Sequence, residues 1–502
     1  MATSATMTSC LFNKNGSGEA SNATGWLYND PEYGGYEYKS GYEQETGPGL
    51  VFIEGGTFVM GRVEQDAMFN NNATPRRVTV ASFYMDECEV SNANYREWLY
   101  WINHVFEDNK AVYIDALPDT LVWRRPLAFN EPYVQNYLRH PAYADYPVVG
   151  VNWEQAGKYC NWRTDRVNEN ILLREGIIAS LKIDEQKGSE NFNTEAYLYG
   201  QYDVEDGPGA IDDLANEGQK RRVRQDDGIL LPDYRLPTEA EWEFAALGLI
   251  GNTVDERMSD RKIYPWNSHV VRNAEDSERG RMMANFVRAN GDYMGTAGYL
   301  NDKGDVTVNV RSYWPNDYGL YCMAGNVNEW VSDVYRPMTF EDAEEFNPYR
   351  GNIFQQLDVD ETGMPVPKDS IGRLKRKTET ADMIGDRKNY RDAYVINYLD
   401  GDDGSNISEG GEWDGKGLNT RNMYGGMKGD DGQIPEIGSR LGTLISDRTR
   451  IYKGGGWRDR AYWLSPGTRR FLDQAECRDD IGFRCAMVHV GNPEQQGRSQ
   501  KR

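Results

Sequence analysis

Arg235-Leu236-Pro237-Thr238-Glu239-Ala240-Glu241-Trp242-Glu243 is the stretch on which the fold turns. Thr238 has the side chain of a helix N-cap, and Glu241 stands three residues on, the spacing of a reciprocal capping box. Trp242, Ala245 and Ala246 then fall on one side of the helix and face a core. Four further blocks share this density of glycine, aromatic and charged residues. They are Phe52-Ile53-Glu54-Gly55-Gly56-Thr57-Phe58-Val59-Met60-Gly61, Tyr146-Pro147-Val148-Val149-Gly150-Val151-Asn152-Trp153, Gly325-Asn326-Val327-Asn328-Glu329-Trp330 and Gly482-Phe483-Arg484-Cys485.

Between the blocks, short elements are legible. Val51-Phe52-Ile53 reads as an apolar strand, Gly55-Gly56 as a turn, and Phe58-Val59-Met60 as the strand paired with the first. Val78-Thr79-Val80 and Phe83-Tyr84-Met85 alternate as half-buried strands do. Ser91 precedes Tyr95, Trp98, Leu99 and Ile102 at helical spacing, and a second helix follows Asn152 with Trp153, Ala156, Tyr159, Cys160 and Trp162 on one face. The Gly55-Gly56 and Gly454-Gly455-Gly456 runs lack the Gly-Lys-Ser/Thr ending of a phosphate loop and read as turns.

Together the five blocks and the turn Lys453-Gly454-Gly455-Gly456-Trp457 resemble the formylglycine-generating enzyme, or sulfatase-modifying factor, superfamily. The resemblance implies an α+β fold with little regular secondary structure, short strands and a few helices, here elaborated by two large insertions. Compact relatives run from the second helix almost directly into the Arg235 block, whereas residues 167–233 intervene in this chain, with a helical start from Ile171 to Leu181. A longer insertion spans 336–448 and is rich in Gly, Asp, Asn and Tyr. Residues 50–490 are thus expected to form the domain, 11–49 a flexible arm and 491–502 a disordered tail.

The 502 residues carry a formal charge of -23, which repels phosphate backbones and argues against nucleic-acid binding. Thirteen Trp and 32 Tyr are spread along the chain, as in folds held together by large rings more than by regular elements. No stretch approaches the ~18 apolar residues of a membrane-spanning helix. At the start, small residues run up to Cys10, and Met7-Thr8-Ser9-Cys10 resembles the end of a bacterial lipoprotein signal with Cys10 acylated. The basic and apolar parts of a full export signal are missing from residues 1–10, so the true start codon is expected upstream. The other reading is a free cysteine in a tail.

What the resemblance implies for chemistry is mostly a loss. The family oxidises a substrate cysteine to formylglycine with copper held by two cysteines that follow the Lys-Gly-Gly turn. Those positions fall on Asp459 and Leu464 here, and Cu(I) selects soft sulfur ligands. The expectation is therefore no enzyme activity. Family calcium sites map onto Asn285, Phe286 and a downstream Asp (Asp292, with Asp302 and Asp305 as alternatives), and onto Cys322, Gly325, Val327 and Glu329. Calcium takes oxygen ligands, and Cys322 replaces one of them. The family's structural disulfide maps onto Cys160 and Cys485, the alternative being two buried thiols. Some members bind iron through histidines of an added domain, but the four histidines here stand far apart, and zinc is equally unsupported.

Within the superfamily, the Asn161-Trp162-Arg163-Thr164-Asp165-Arg166 helix end and Tyr313-Trp314-Pro315-Asn316-Asp317-Tyr318-Gly319 look like the gliding-motility lipoproteins of type IX-secreting Bacteroidota. That likeness implies an outer-membrane lipoprotein facing the periplasm. Its expected partners are other gliding and type IX secretion lipoproteins and periplasmic ring proteins, docked through the insertions. Tyr349, Phe354, Tyr390, Tyr394 and Tyr398 are the aromatics that 336–448 offers. A carbohydrate- or peptidoglycan-binding module is the competing class, since Trp and Tyr also stack on sugars.

Overall fold

The computed structural model describes residues 20–491 apart from 34, 63–65, 67, 180–182, 203–204, 217, 254, 256–261, 289–303, 337, 339–343, 380–444 and 446. Cys10, Asp292, Asp302, Tyr390, Tyr394 and Tyr398 lie outside the described residues.

The chain enters as β1 (Leu50–Ile53) and β2 (Gly56–Met60), followed by β3 (Arg76–Val80) and β4 (Phe83–Asp86). The first two strands do not fold back on each other at Gly55-Gly56, contrary to the sequence expectation. β1 pairs antiparallel with β4 and β2 with β3 in one continuous register, Ile53 opposite Phe83 and Gly56 opposite Val80. Residues 50–60 therefore form one interrupted ribbon against 76–86. Gly55 sits at the break because a Cβ there would stand 2.3 Å from the Val80 carbonyl oxygen.

Helix α1 (Asn92–Val105) starts where Ser91 accepts a hydrogen bond from the Asn94 N–H, and it buries Tyr95, Trp98, Leu99 and Ile102. The short α2 (Lys110–Ala116) and α3 (Glu131–Asn136) follow. Helix α4 (Trp153–Arg174) has a full capping box between Asn152 and Gln155 and is the longest described element. It runs through residue 167, so the expected insertion begins inside a helix. The helical start expected over 171–181 is the last turn of α4, stopped by Gly176 at φ +68°.

Beyond it lie α5 (Thr194–Leu198), the small ribbon β5 (Ile211–Asp212) with β6 (Lys220–Arg221), and β7 (Tyr234–Arg235). Helix α6 (Glu239–Leu247) carries the predicted capping box of Thr238 and Glu241, with Trp242, Ala245 and Ala246 fully buried. The remaining strands are β8 (Asn328–Val334), β9 (Gln355–Leu357), β10 (Arg376–Thr378), β11 (Thr449–Lys453), β12 (Arg470–Asp473), β13 (Ile481–Gly482) and β14 (Ala486–Val488).

Two four-stranded sheets organise the molecule, in the orders β1-β4-β14-β7 and β12-β11-β8-β13. One apolar cluster packs α1 and α4 against both sheets, through Tyr95, Tyr159, Trp330 and Phe483. A second surrounds α6 through Phe58, Trp242, Phe244 and Ile451.

The stretches expected as insertions meet each other. Asn191 donates from Nδ2 to the Ile371 carbonyl at 3.0 Å, Gln201 donates to the Pro365 carbonyl at 2.8 Å, and Phe192, Tyr197, Tyr202 and Leu374 share one apolar cluster. Within the stretch expected as a flexible arm, Gln44 bonds Val488 and Val490, and Arg174 forks onto Glu45. Among the described residues no helix is long and apolar enough to cross a membrane.

Candidate functional site

The turn after β11 is built by its buried charges. Lys453 is wholly buried and donates from Nζ to Glu239 at 3.2 Å and Glu243 at 2.9 Å, both on α6. Arg469 forks onto the two Glu239 oxygens at 2.6 and 2.9 Å. Burial alone would raise the Glu239 carboxyl, but Arg469 and Lys453 overcome it and hold it at about 2. Glu239 and Glu243 are thus ion-pair partners of the turn, whereas Glu241 takes Arg235. Glycine is required next: Gly454 and Gly455 have φ of +98° and +69°, and a Cβ on Gly454 would press on the Trp242 ring at 3.1 Å.

Asp459, where the resemblance places one copper cysteine, closes this turn. Its Oδ2 accepts from the Gly456 N–H at 2.8 Å and from Asn328 Nδ2 at 3.1 Å. Arg470 forks onto both oxygens at 2.7 and 2.6 Å, stacked between the Tyr452 and Trp463 rings. Burial works against the charged form, yet the Arg470 hydrogen bonds keep the carboxyl below its ordinary range. Leu464, the other copper position, is fully buried among Met282, Ala284, Phe286 and Ala324. One position anchors a turn and the other is core, so neither presents a soft ligand.

A polar cleft opens beside Asp459, lined by Val122, Arg458, Cys477, Arg478, Asp479 and Asp480. Its charges are largely paired, with Asp479 accepting from Arg125 and from Arg458. Burial, reinforced by Asp459 and Asp479, pushes the Asp480 carboxyl up to about 6. Cys477 also lines this cleft, brought there by the fold rather than by any local motif. Burial pushes its thiol up to about 11, so it is not a thiolate at neutral pH.

The calcium positions are differently placed. Asn285 donates from Nδ2 to the Val306 carbonyl, its own carbonyl accepts from the Asn326 N–H, and Phe286 is buried in the apolar cluster around Leu464. Asp305 accepts from the Tyr133 hydroxyl. In the other set, Gly325 donates its N–H to Gly454, Val327 donates to buried Glu89, and the Cys322 thiol points to the Val310 carbonyl. Both Glu329 oxygens accept from the Arg484 fork at 2.6 Å, and Oε2 also takes the Trp242 indole N–H at 2.7 Å. That donor set does not fit a hard cation, because the carboxylate charge is already met by a guanidinium. Among the described residues no group of three or more His, Cys, Asp or Glu side chains is placed to hold a metal.

Cys160 on α4 and Cys485 before β14 do meet. Their sulfurs stand 3.2 Å apart in the core as two buried thiols, with the Cys485 N–H held by Asp86 at 2.8 Å and Asp86 held in turn by the Arg163 fork.

Residues 37–488 match the family described as the sulfatase-modifying factor enzyme 1-like domain. The chain is 26% identical over 299 residues to the formylglycine-generating enzyme of Mus musculus, covering 60% of this chain and 61% of that protein. It is 24% identical over 327 residues to the formylglycine-generating enzyme of Streptomyces coelicolor, covering 60% and 74%. It is also 23% identical over 335 residues to the inactive C-alpha-formylglycine-generating enzyme 2 of Mus musculus, covering 62% and 75%. The chain therefore spans about three fifths of the mouse formylglycine-generating enzyme it matches. Among solved structures, PvdO from Pseudomonas aeruginosa aligns over 88% of this chain and 94% of that one, with a TM-score of 0.41 and 14% identity.

Proposed function

The chain belongs to the sulfatase-modifying factor enzyme 1-like family, and from that premise we propose that it is a non-catalytic member, used as a structural docking component. The observation that carries this reading is the state of the two copper positions. Asp459 is held by Arg470, Asn328 and the Gly456 N–H, and Leu464 is sealed in the core. Copper-dependent thiol oxidation needs two soft ligands facing substrate, and these two side chains supply neither sulfur nor access. Inactive relatives are known within the family, as the name of the mouse paralogue states.

The finer reading is a lipoprotein of the gliding-motility and type IX secretion machinery, anchored through Cys10 on the periplasmic face of the outer membrane. Residues 47–63 and 119–124 look more like the gliding-motility lipoprotein GldJ than GldK. The joined segments around α5 and β9–β10 supply a docking body outside the two sheets, with Phe354 partly exposed on it. Two experiments test the two levels. Purified chain incubated with Cu(I) and a cysteine-containing peptide should yield no aldehyde, and appearance of formylglycine would end the non-catalytic reading. Cross-linking in native outer membranes should recover type IX lipoproteins or ring proteins in the wild type and lose them when 350–378 is excised. Unchanged recovery would remove the docking role.

A further inference from the structure

A cleft of about 1020 Å³ lies between α4, α5, residues 225–233, β10 and the far end of β14, at the upper limit of small-ligand sites. Tyr42, Tyr199, Val488 and Val490 line it and are each 39–51% exposed, an apolar floor left open to water.

Its charged lining is five carboxylates against three cations. The cations are already engaged. Arg373 pairs with Asp165, Arg376 pairs with Glu195, and Lys39 donates to the Asp227 carbonyl at 3.0 Å. The Asp227 carboxylate takes Arg221. Asp226 and Asp233 are exposed in the cleft, and among the described residues neither carboxylate has a hydrogen-bond or ion-pair partner. Partial desolvation between the walls, then the Asp165 and Glu195 charges, push the Asp233 carboxyl above its ordinary value, against Arg373 and Arg376. Two open carboxylates over an apolar floor suit basic side chains carried on a segment of polypeptide.

The described chain ends in this cleft. Gly491 follows Val490, and the eleven residues 492–502 lie outside the described structure. They hold Arg498, Lys501 and Arg502 against one acid, Glu494, whereas the whole chain carries a charge of -23. At full extension they reach about 36 Å from a point already at the cleft. Their tether sets an effective concentration in the millimolar range, so weak ion pairs suffice to seat them.

We propose that residues 492–502 turn back into this cleft, where Arg498, Lys501 and Arg502 meet Asp226 and Asp233. The seated segment covers the floor and closes the cleft to other basic chains. The inference uses no residue of the turn after β11 and no envelope partner, so it stands or falls apart from the proposed function.

Carbodiimide, which joins an amine to a carboxylate in direct contact, tests this on the full chain. Lys501 carries the one side-chain amine of 492–502, and peptide mass spectrometry should find it joined to Asp226 or Asp233. In a mixture of isotope-labelled and unlabelled chains, the joined pair should stay within one chain. The link should disappear in the double variant Asp226→Asn, Asp233→Asn, whose positions are exposed, with an unshifted melting temperature. Calorimetry gives a second readout. A synthetic 491–502 peptide should bind chain ending at Gly491 roughly tenfold more tightly than the full chain, whose own segment competes. That binding should weaken as salt rises. The proposal is overturned if the Lys501 links scatter over the acidic surface or join different chains. It is equally overturned if the peptide binds both chains alike, or neither at millimolar concentration.

Discussion

Lys453, Glu239, Glu243 and Arg469 are almost completely buried, which is tolerable only because each charge faces an opposite one. Glu239→Gln leaves Arg469 without its carboxylate in a site that water does not reach. We expect a loss of about 3–5 kcal/mol in urea unfolding; a change under 1 kcal/mol would mean that the network is solvated. Acid acts through the same group. Its folded pKa, about 2, lies below the ordinary carboxylate value, so its contribution is present above the ordinary value and is lost as pH falls towards 2. Asp333 has the opposite sign. Burial, then the nearby Glu239 charge, pushes its carboxyl up to about 7. Its contribution is complete below the ordinary carboxylate range and is lost as pH rises through 7. Asp333→Asn should therefore gain on the wild type between pH 5 and pH 8, by on the order of 2–4 kcal/mol in paired urea titrations; parallel curves would remove the claim. None of this was readable from the Thr238–Glu243 block. Its capping box is local, but the cations that neutralise Glu239 and Glu243 lie more than 200 positions away.

At the scale of elements, what was legible followed from contacts within a few residues. Ser91, Asn152 and Thr238 cap the three long helices because each side chain reaches the N–H three positions on. The expected turn at Gly55-Gly56 failed because glycine has two uses that a sequence does not separate. It permits a turn, and it permits close passage of another backbone. Here the second applies: the ribbon of residues 50–60 continues past the break, and Gly55 donates its N–H to Ser82 while lying against residues 80–82. Gly55→Ala should cost roughly 1–3 kcal/mol, the scale of overpacking in a rigid site, although its conformational preference favours alanine. Were Gly55 a flexible turn residue, the same substitution would be neutral or stabilising in thermal melts.

For the whole molecule, the deciding contacts join distant segments. The meeting of residues 188–201 with 365–374 built a cluster and a cleft that no local pattern announced, since pairing across some 170 positions is specified by surfaces rather than by spacing. Cys160 and Cys485 form one such link with chemical consequences, 325 positions apart with sulfurs already in contact. As thiols they are two small core groups; joined, they would close a loop worth roughly 5–6 kcal/mol on the chain-entropy estimate. Which state holds depends on compartment, because disulfides persist after export and are reduced in the cytosol. If the chain is exported as proposed, chain taken from its native envelope should resist alkylation at Cys160 and Cys485 in denaturant until a reductant is added, while Cys88, Cys322 and Cys477 label at once. Cys160→Ser should lower the stability read from urea unfolding strongly when the wild type is oxidised, and by no more than about 1–2 kcal/mol when both are reduced. If both cysteines label without reductant in chain taken from its native envelope, the pair is a packed thiol contact. The exported location then loses the support it would draw from this pair, and Cys10 has to carry it alone.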